Sequence, residues 1–300
     1  MAEREPSAHQ FTLDDAIGAL DPSDAASASE FMTLENPDYA YMFGFLQADG
    51  HLAQGTGRKG SLTVEINIRD IAILREFQRL TPYRSSIGER TRSTNFAEKH
   101  HSATWTLCSL EARTTLHRLG LPYGRKSRKI TPPRVPFVRR DYLRGVIDAD
   151  GSIGFTGQGY PFVSLTTAST AVGAYLCRYA RQLTGVERVI KRNSRDGIYN
   201  VSYTKEAAVQ LAQHLYYPGC LALDRKRAAA ASTAAWERPA EMKIAPPRRR
   251  WKAAEDRVLL AVGAPEDAAR ELGRTVASCA VRLWRLRTGQ VAPPPRAPLE

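Results

Sequence analysis

The chain has 300 residues, a formal net charge of +12 and four cysteines. That length suits two or three compact units, since a single core usually spans ~100 to 200 residues. No apolar run approaches the ~20 residues that cross a bilayer, and "MAEREPSAHQ" lacks the basic start and apolar stretch of a secretory signal, so a cytoplasmic location is expected. Cys108, Cys177, Cys220 and Cys279 form no CxxC pair, which excludes a disulfide scaffold and a thiolate zinc site from the expectations.

The charge is unevenly spread. Residues 1–38 hold nine acids and one base, leaving +20 on the remainder. Such a surplus calls for a polyanionic partner, nucleic acid ahead of membrane, because no basic amphipathic membrane helix is evident.

In chain order, residues 1–36 read as an acidic, mobile leader. "NPDYAYMFGFLQADG" follows, with Asn36 as a helix cap, proline in the first turn and Gly50 closing the helix. "SLTVEINI" alternates Leu62, Val64, Ile66 and Ile68 with polar residues as a half-buried strand does. "DIAILREFQRL" predicts an amphipathic helix with Ile71, Ile73, Leu74 and Phe77 inward, followed by a strand, "SATWTLCSL", and a helix, "EARTTLHRLGL".

From Asp141 the order repeats: "DYLRGVIDADG" as helix, "YPFVSLTT" as strand, "AVGAYLCRYARQLTG" as helix, "GIYNVSYT" as strand and "KEAAVQLAQHLYY" as helix. "GFLQADGHL" and "GVIDADGSI" stand 101 residues apart, measured from Asp49 to Asp150. Two copies of a helix, strand, strand, helix, strand, strand, helix unit account for this, over 37–134 and 135–236. Each copy ends in a basic stretch, with Lys126 lying 77 residues after Asp49 and Lys226 76 after Asp150. A linker at 237–249 leads to three short helices over 250–288, separated near Gly263 and Gly273, and then a proline-rich tail, 289–300, expected to be disordered.

Residues four apart share a helix face, so Gly44 with Ala48 and Gly145 with Ala149 form two strips without bulk. Strips of this kind let two helices approach to ~8 Å or less, which sets Asp49 and Asp150 side by side at one end. Two adjacent carboxylates repel by ~1 to 4 kcal/mol at 4 Å unless a cation is shared. Hard oxygen donors suit Mg2+, or a similar divalent ion such as Mn2+.

The two motifs resemble the paired signature helices of single-chain LAGLIDADG homing endonucleases, over about residues 37–236. The resemblance implies an α+β fold of two pseudo-symmetric αββαββα repeats forming a DNA-binding saddle. It implies Asp49 and Asp150 as catalytic metal ligands, with Gly50 and Gly151 beside them. It further implies a basic residue near each cleavage centre, for which Lys126 and Lys226 are the candidates, with Arg125, Lys129, Arg225 and Arg227 as competitors. Gln47 departs from the pattern, standing opposite Asp148, and so does His51, opposite Ser152.

For DNA contact the strands and connections offer Arg58, Lys59, Arg69, Arg90, Arg92, Lys191, Arg192 and Arg195, while Arg139, Arg140 and Arg144 adjoin the second motif. Residues 250–288 resemble a Myb/SANT-like helix-turn-helix, carried by Trp251, Glu255, Asp256, Leu259, Leu260, "AARELGRT" and Trp284. The tryptophans and leucines are expected to fill its core, with Arg274, Arg282, Arg285 and Arg287 on or near the third helix. A small helical bundle that binds protein is the alternative for this segment. His100 and His101 lack matching acids or cysteines and are expected in a loop.

The leading expectation is a monomeric, metal-dependent endonuclease making a staggered double-strand break in a long asymmetric DNA site. The chain neither starts with Cys or Ser nor ends in His-Asn, which argues against an intein. A non-cleaving DNA-binding regulator of the same fold, or an RNA maturase, is the alternative.

Overall fold

The computed structural model describes residues 28–53, 55, 59–94, 97–242 and 249–295. The chain divides into two compact units, Met1–Arg238 and Pro239–Glu300.

In the larger unit, α1 (Pro37–Asp49) starts where the Asn36 side chain accepts from the Asp38 and Tyr39 amides, at 2.9 and 3.4 Å. It is buried on every side from Ala40 to Gln47, so it is a central rod rather than an amphipathic surface helix. Its neighbour is α4 (Arg139–Asp150), buried from Asp141 to Asp148. The seam between them is a backbone contact. A methyl group on Gly44 would overlap the Tyr142 carbonyl, and one on Gly145 would overlap the Tyr41 carbonyl and lie 2.8 Å from the Phe45 nitrogen.

Along the chain, the two rods are separated by β1 (His51–Leu52), β2 (Leu62–Asn67), α2 (Ile71–Leu80), β3 (Ser85–Thr94), β4 (Ala97–Leu107) and α3 (Leu110–Arg118). The strands form an antiparallel sheet ordered β1-β2-β4-β3. Leu62, Val64, Trp105 and Leu107 face the core, where Phe77 from α2 sits edge-on to Phe45 and Trp105 at 5.4 and 6.1 Å. The opposite face carries Thr63, Glu65, Asn67, Thr104, Thr106, Arg90 and Arg92, as period-two alternation requires. The inward set expected for α2 is correct for Ile73, Leu74 and Phe77, whereas Ile71 is only partly buried.

After α4 come β5 (Gly151–Phe155), β6 (Pro161–Thr167), α5 (Thr170–Thr184), β7 (Tyr199–Thr204), α6 (Glu206–Leu215) and α7 (Asp224–Thr233). This sheet is antiparallel too, ordered β5-β6-β7, with Val163, Leu165, Val201 and Tyr203 inward and Ser152, Thr166, Asn200 and Ser202 outward.

Several expectations need correction. The second half has three strands, not four. After Gly185 ends α5 at φ +71, residues 185–198 make one isolated bridge, Arg192 to Tyr199. Asn193 and Asp196 there turn their carboxamide and carboxylate onto the amides of Arg195 and Ile198, a loop chemistry that competes with strand pairing. The leader is not wholly detached: Phe31, Met32 and Leu34 are buried, and Phe31 packs edge-on against Tyr39 and Tyr83. His100 and His101 lie in β4 rather than a loop, with His101 3.2 Å from Glu89.

The smaller unit contains α8 (Ala253–Val262), α9 (Pro265–Leu272) and α10 (Val276–Arg287). Gly263 at φ +70 and Gly273 at φ +58 terminate the first two helices in the left-handed conformation that glycine tolerates. Its core is Leu259, Ala268, Ala269, Cys279, Leu283 and Leu286, with Trp251 packed against it. Trp284, expected inside, is 54% exposed, because Leu283 and Leu286 already supply the inward face of α10.

Candidate active site at the paired helix ends

Asp49 and Asp150 are the last residues of α1 and α4, and both face solvent. Crowding by protein, and then the charge of Asp49, push the Asp150 carboxyl up to about 6, with Lys126 and Lys226 pulling it back. Crowding by protein also raises Asp49 against the same two lysines. Lys126 is lowered by burial and opposed by Asp150 and Asp49, while burial takes Lys226 down to about 8 against Asp148. The four side chains therefore share one electrostatic neighbourhood.

The lysines do more than sit near the acids. Lys126 Nζ donates to the carbonyls of Gln47, at 2.7 Å, and Ala48. Lys226 Nζ donates to Ile147, Asp148 and Gly151 at 2.7, 2.6 and 2.8 Å. The last carbonyls of a helix have no partner within it, so each ammonium closes the end of its own rod. Lys226 thereby uses all three of its N–H donors, whereas Lys126 uses two. The stretch around Lys126 is a turn, and Lys226 lies in the first turns of α7, so two different local structures deliver the same cap.

Two residues before each acid, the rods are cross-linked. Tyr41 of α1 donates to Asp148 of α4 at 2.7 Å, and Tyr142 of α4 donates to Gln47 of α1 at 2.7 Å. Asp148 also accepts from Tyr216 Oη at 2.5 Å and the Leu223 amide at 2.7 Å. Gln47 Nε2 instead donates to the carbonyls of Gly120 and Thr131, at 2.9 and 3.0 Å. A carboxylate has no proton to give those carbonyls, so a glutamine suits this position where an aspartate would not. These tyrosines were not singled out from sequence, although Tyr41 and Tyr142 repeat at the same 101-residue interval as the acids.

Among the described residues no three His, Cys, Asp or Glu side chains gather around one point. The donors on offer are the oxygens of two carboxylates, with the Gly50 and Gly151 carbonyls beside them. That set suits a hard cation that keeps several waters, and does not suit structural zinc. One lone pair of the Gly151 carbonyl is already engaged by Lys226.

The basic residues expected at DNA fall into three groups. Lys59, Arg69, Arg90, Arg139, Lys191 and Arg195 are exposed, Arg69 and Arg195 close to Asp70 and Asp196, and Arg285 is exposed on α10. Arg92 reaches Glu65 at 3.0 Å, Arg192 donates to Tyr199 Oη at 2.8 Å, and Arg140 stacks 3.7 Å from the Tyr217 ring centre. Three others are built into the protein. Arg144 is fully buried against Asp141 at 2.6 Å, Arg274 is held by Glu255 at 2.8 Å under Trp251, and Arg282 grips Asp256 through two bonds at 2.8 and 2.6 Å. Buried carboxylates need such partners, which is why these arginines are turned away from solvent. Arg58 lies outside the described residues.

No protein-family model matches the chain, and no curated protein matches it. Among solved structures it is similar to the homing endonuclease I-WcaI bound to its DNA recognition sequence, at 13% identity over 71% of this chain and 94% of that one, with a TM-score of 0.46. It is similar to mesophilic variants of the homing endonuclease I-DmoI at 14% identity over 65% and 97%, with a TM-score of 0.44, and to the N-terminal LAGLIDADG domain of DUF199/WhiA at 10% identity over 73% and 92%, with a TM-score of 0.38.

Proposed function

We propose that the chain is a divalent-metal-dependent DNA endonuclease built on two pseudo-symmetric halves of the LAGLIDADG kind, cutting both strands of a long asymmetric site. One observation carries this reading: two glycine-seamed helices end in acids close enough for one to raise the other's pKa. Mutual repulsion of this kind has a use if a cation is shared. Asp49 and Asp150, with the Gly50 and Gly151 carbonyls, would hold Mg2+ or Mn2+, and the metal when bound would supply charge neutralisation and an acidified water. Lys126 and Lys226 fix the helix ends that aim the acids, and the remaining N–H of Lys126 is available to a phosphate oxygen. The polar outer faces of both sheets are suited to base edges, and the smaller unit, read as a helix-turn-helix, adds a tethered second contact.

The test is incubation of the protein with a library of long duplexes and Mg2+. Reproducible breaks that vanish with EDTA support the reading. Tight binding without nicks, at any metal concentration, would assign the chain to the non-cleaving regulators instead.

A further inference from the structure

A cavity borders the segment that caps α1. It has a volume of about 280 Å3, and its charged lining consists of Arg118, Lys129 and Arg134, with no acid among the lining residues. All three cations are exposed, and none forms an ion pair or side-chain hydrogen bond among the described residues. Arg69, Arg79, Arg92, Arg195, Arg225 and Arg227 each lie within 4.0 Å of a carboxylate, whereas here three cations share one concavity whose lining holds no acid. Three like charges around one concavity repel one another unless an anion occupies it.

The cavity is also attached to the candidate active site. Its lining includes Gly120 and Thr131, and the carbonyls of these two residues are the pair bridged by Gln47 Nε2. Gln47 lies two residues before Asp49, and its own carbonyl receives Lys126. One turn, with Lys129 and Ile130 amides both bonded to the Lys126 carbonyl at 2.7 and 3.1 Å, therefore turns Lys126 inward to the rod and Lys129 outward to the cavity.

We infer that this cavity seats a backbone phosphodiester of bound duplex DNA, one that flanks the phosphate presented to Asp49, and so sets the position of the strand over the first half of the site. The inference rests on the DNA reading above. The shared chemistry is a phosphate oxygen cluster, which free inorganic phosphate also offers, so the experiment separates the two sources.

Full-length wild type, an Arg118→Gln/Arg134→Gln variant and a charge-matched Arg178→Gln/Arg181→Gln control on α5 are titrated with a long mixed-sequence duplex at several salt concentrations. Circular dichroism melts confirm that all three fold, as exposed substitutions permit. The cavity variant is expected to bind about tenfold more weakly, with a log K against log salt slope shallower by about 1, the value for one lost phosphate contact. The control keeps a slope closer to wild type. Where cleavage is measurable, KM rises while kcat is retained. Wild type that fails to bind duplex overturns the DNA reading itself. Wild type that binds, with a cavity variant equal to it or no weaker than the control, overturns the phosphate seat. Saturable binding of inorganic phosphate that the variant loses, with its DNA slope unchanged, would make this a free-phosphate site and overturn the inference as well.

Discussion

Tyr41 on one central helix donates to Asp148 on the other, and Tyr142 on that second helix donates back to Gln47 on the first, each bond 2.7 Å long. The exchange ties the rods together close to the acids, so its loss should be felt in stability before chemistry. Tyr41→Phe leaves a buried carboxylate short of a donor and is expected to cost about 1 to 3 kcal/mol, more than Tyr142→Phe, whose acceptor is a neutral amide. Urea denaturation of the two variants checks the order. Gln47→Asp, which copies Asp148 of the second helix, should destabilise by about 2 kcal/mol because it faces two carbonyls without a proton to offer.

Gly44→Ala and Gly145→Ala each drive a methyl group into the partner backbone. Backbone cannot rotate aside as a flexible side chain can, so each is expected to cost more than about 3 kcal/mol or to abolish soluble expression. Ala48→Gly serves as a control and should cost about 1 kcal/mol, the ordinary helix penalty. Thermal melts distinguish the two outcomes.

The acid and lysine of the second half make opposite contributions to the pH dependence. Asp150, raised to about 6, contributes stability that is present below its unfolded value near 4 and is lost as pH rises through 6. Lys226, depressed to about 8, contributes stability present above its unfolded value near 10.5 and lost as pH falls through 8. Between these limits both groups weigh against folding, and a cation held at the acids, as proposed, would relieve the strain on Asp150. Mg2+ should therefore raise the melting temperature more at pH 8 than at pH 5, by scanning calorimetry with and without the ion. Asp150→Asn should remove that difference, stabilise the metal-free protein at pH 8 by roughly 1 kcal/mol after solvent screening, abolish strand cleavage and leave DNA binding within a few fold.

In the smaller unit Glu255 accepts from Arg274 and from the Lys252 amide, which together draw its carboxyl down to about 2. Its stabilising contribution is present above the unfolded value near 4.5 and is lost as pH falls through 2. Arg274→Ala takes two N–H donors from that carboxylate beneath Trp251, and is expected to destabilise this unit by about 3 kcal/mol. Tryptophan fluorescence of residues 239–300 within the full chain reads the loss. Deleting residues 248–300 should weaken DNA affinity while cutting survives, measured by gel shift beside a cleavage assay.

Much of this was readable from spacing. Duplicated glycines, alanines and acids at one interval placed the rods, and alternation placed the inward residues of β2. Gly263 and Gly273 placed the breaks in the smaller unit. Side-chain destinations were not readable. Arg144, Arg274 and Arg282 look like any surface arginine in the sequence, and it is a buried carboxylate on another element that claims each. The missing fourth strand was hidden for a related reason: "VIKRNSRDGI" has apolar ends, but the asparagine and aspartate inside it hydrogen-bond their own backbone, and a pattern of hydrophobicity does not record that competition.

The unequal sheets carry a consequence for the proposed reading of DNA. A four-stranded platform presents one more row of outward side chains than a three-stranded one, and that row is where Arg90 and Arg92 stand. On the proposed function, the half of a duplex lying on the narrower platform would meet fewer groups able to inspect its bases. Substitutions scattered along a cognate sequence should accordingly be tolerated lopsidedly, with the permissive arm on the side of β5, β6 and β7.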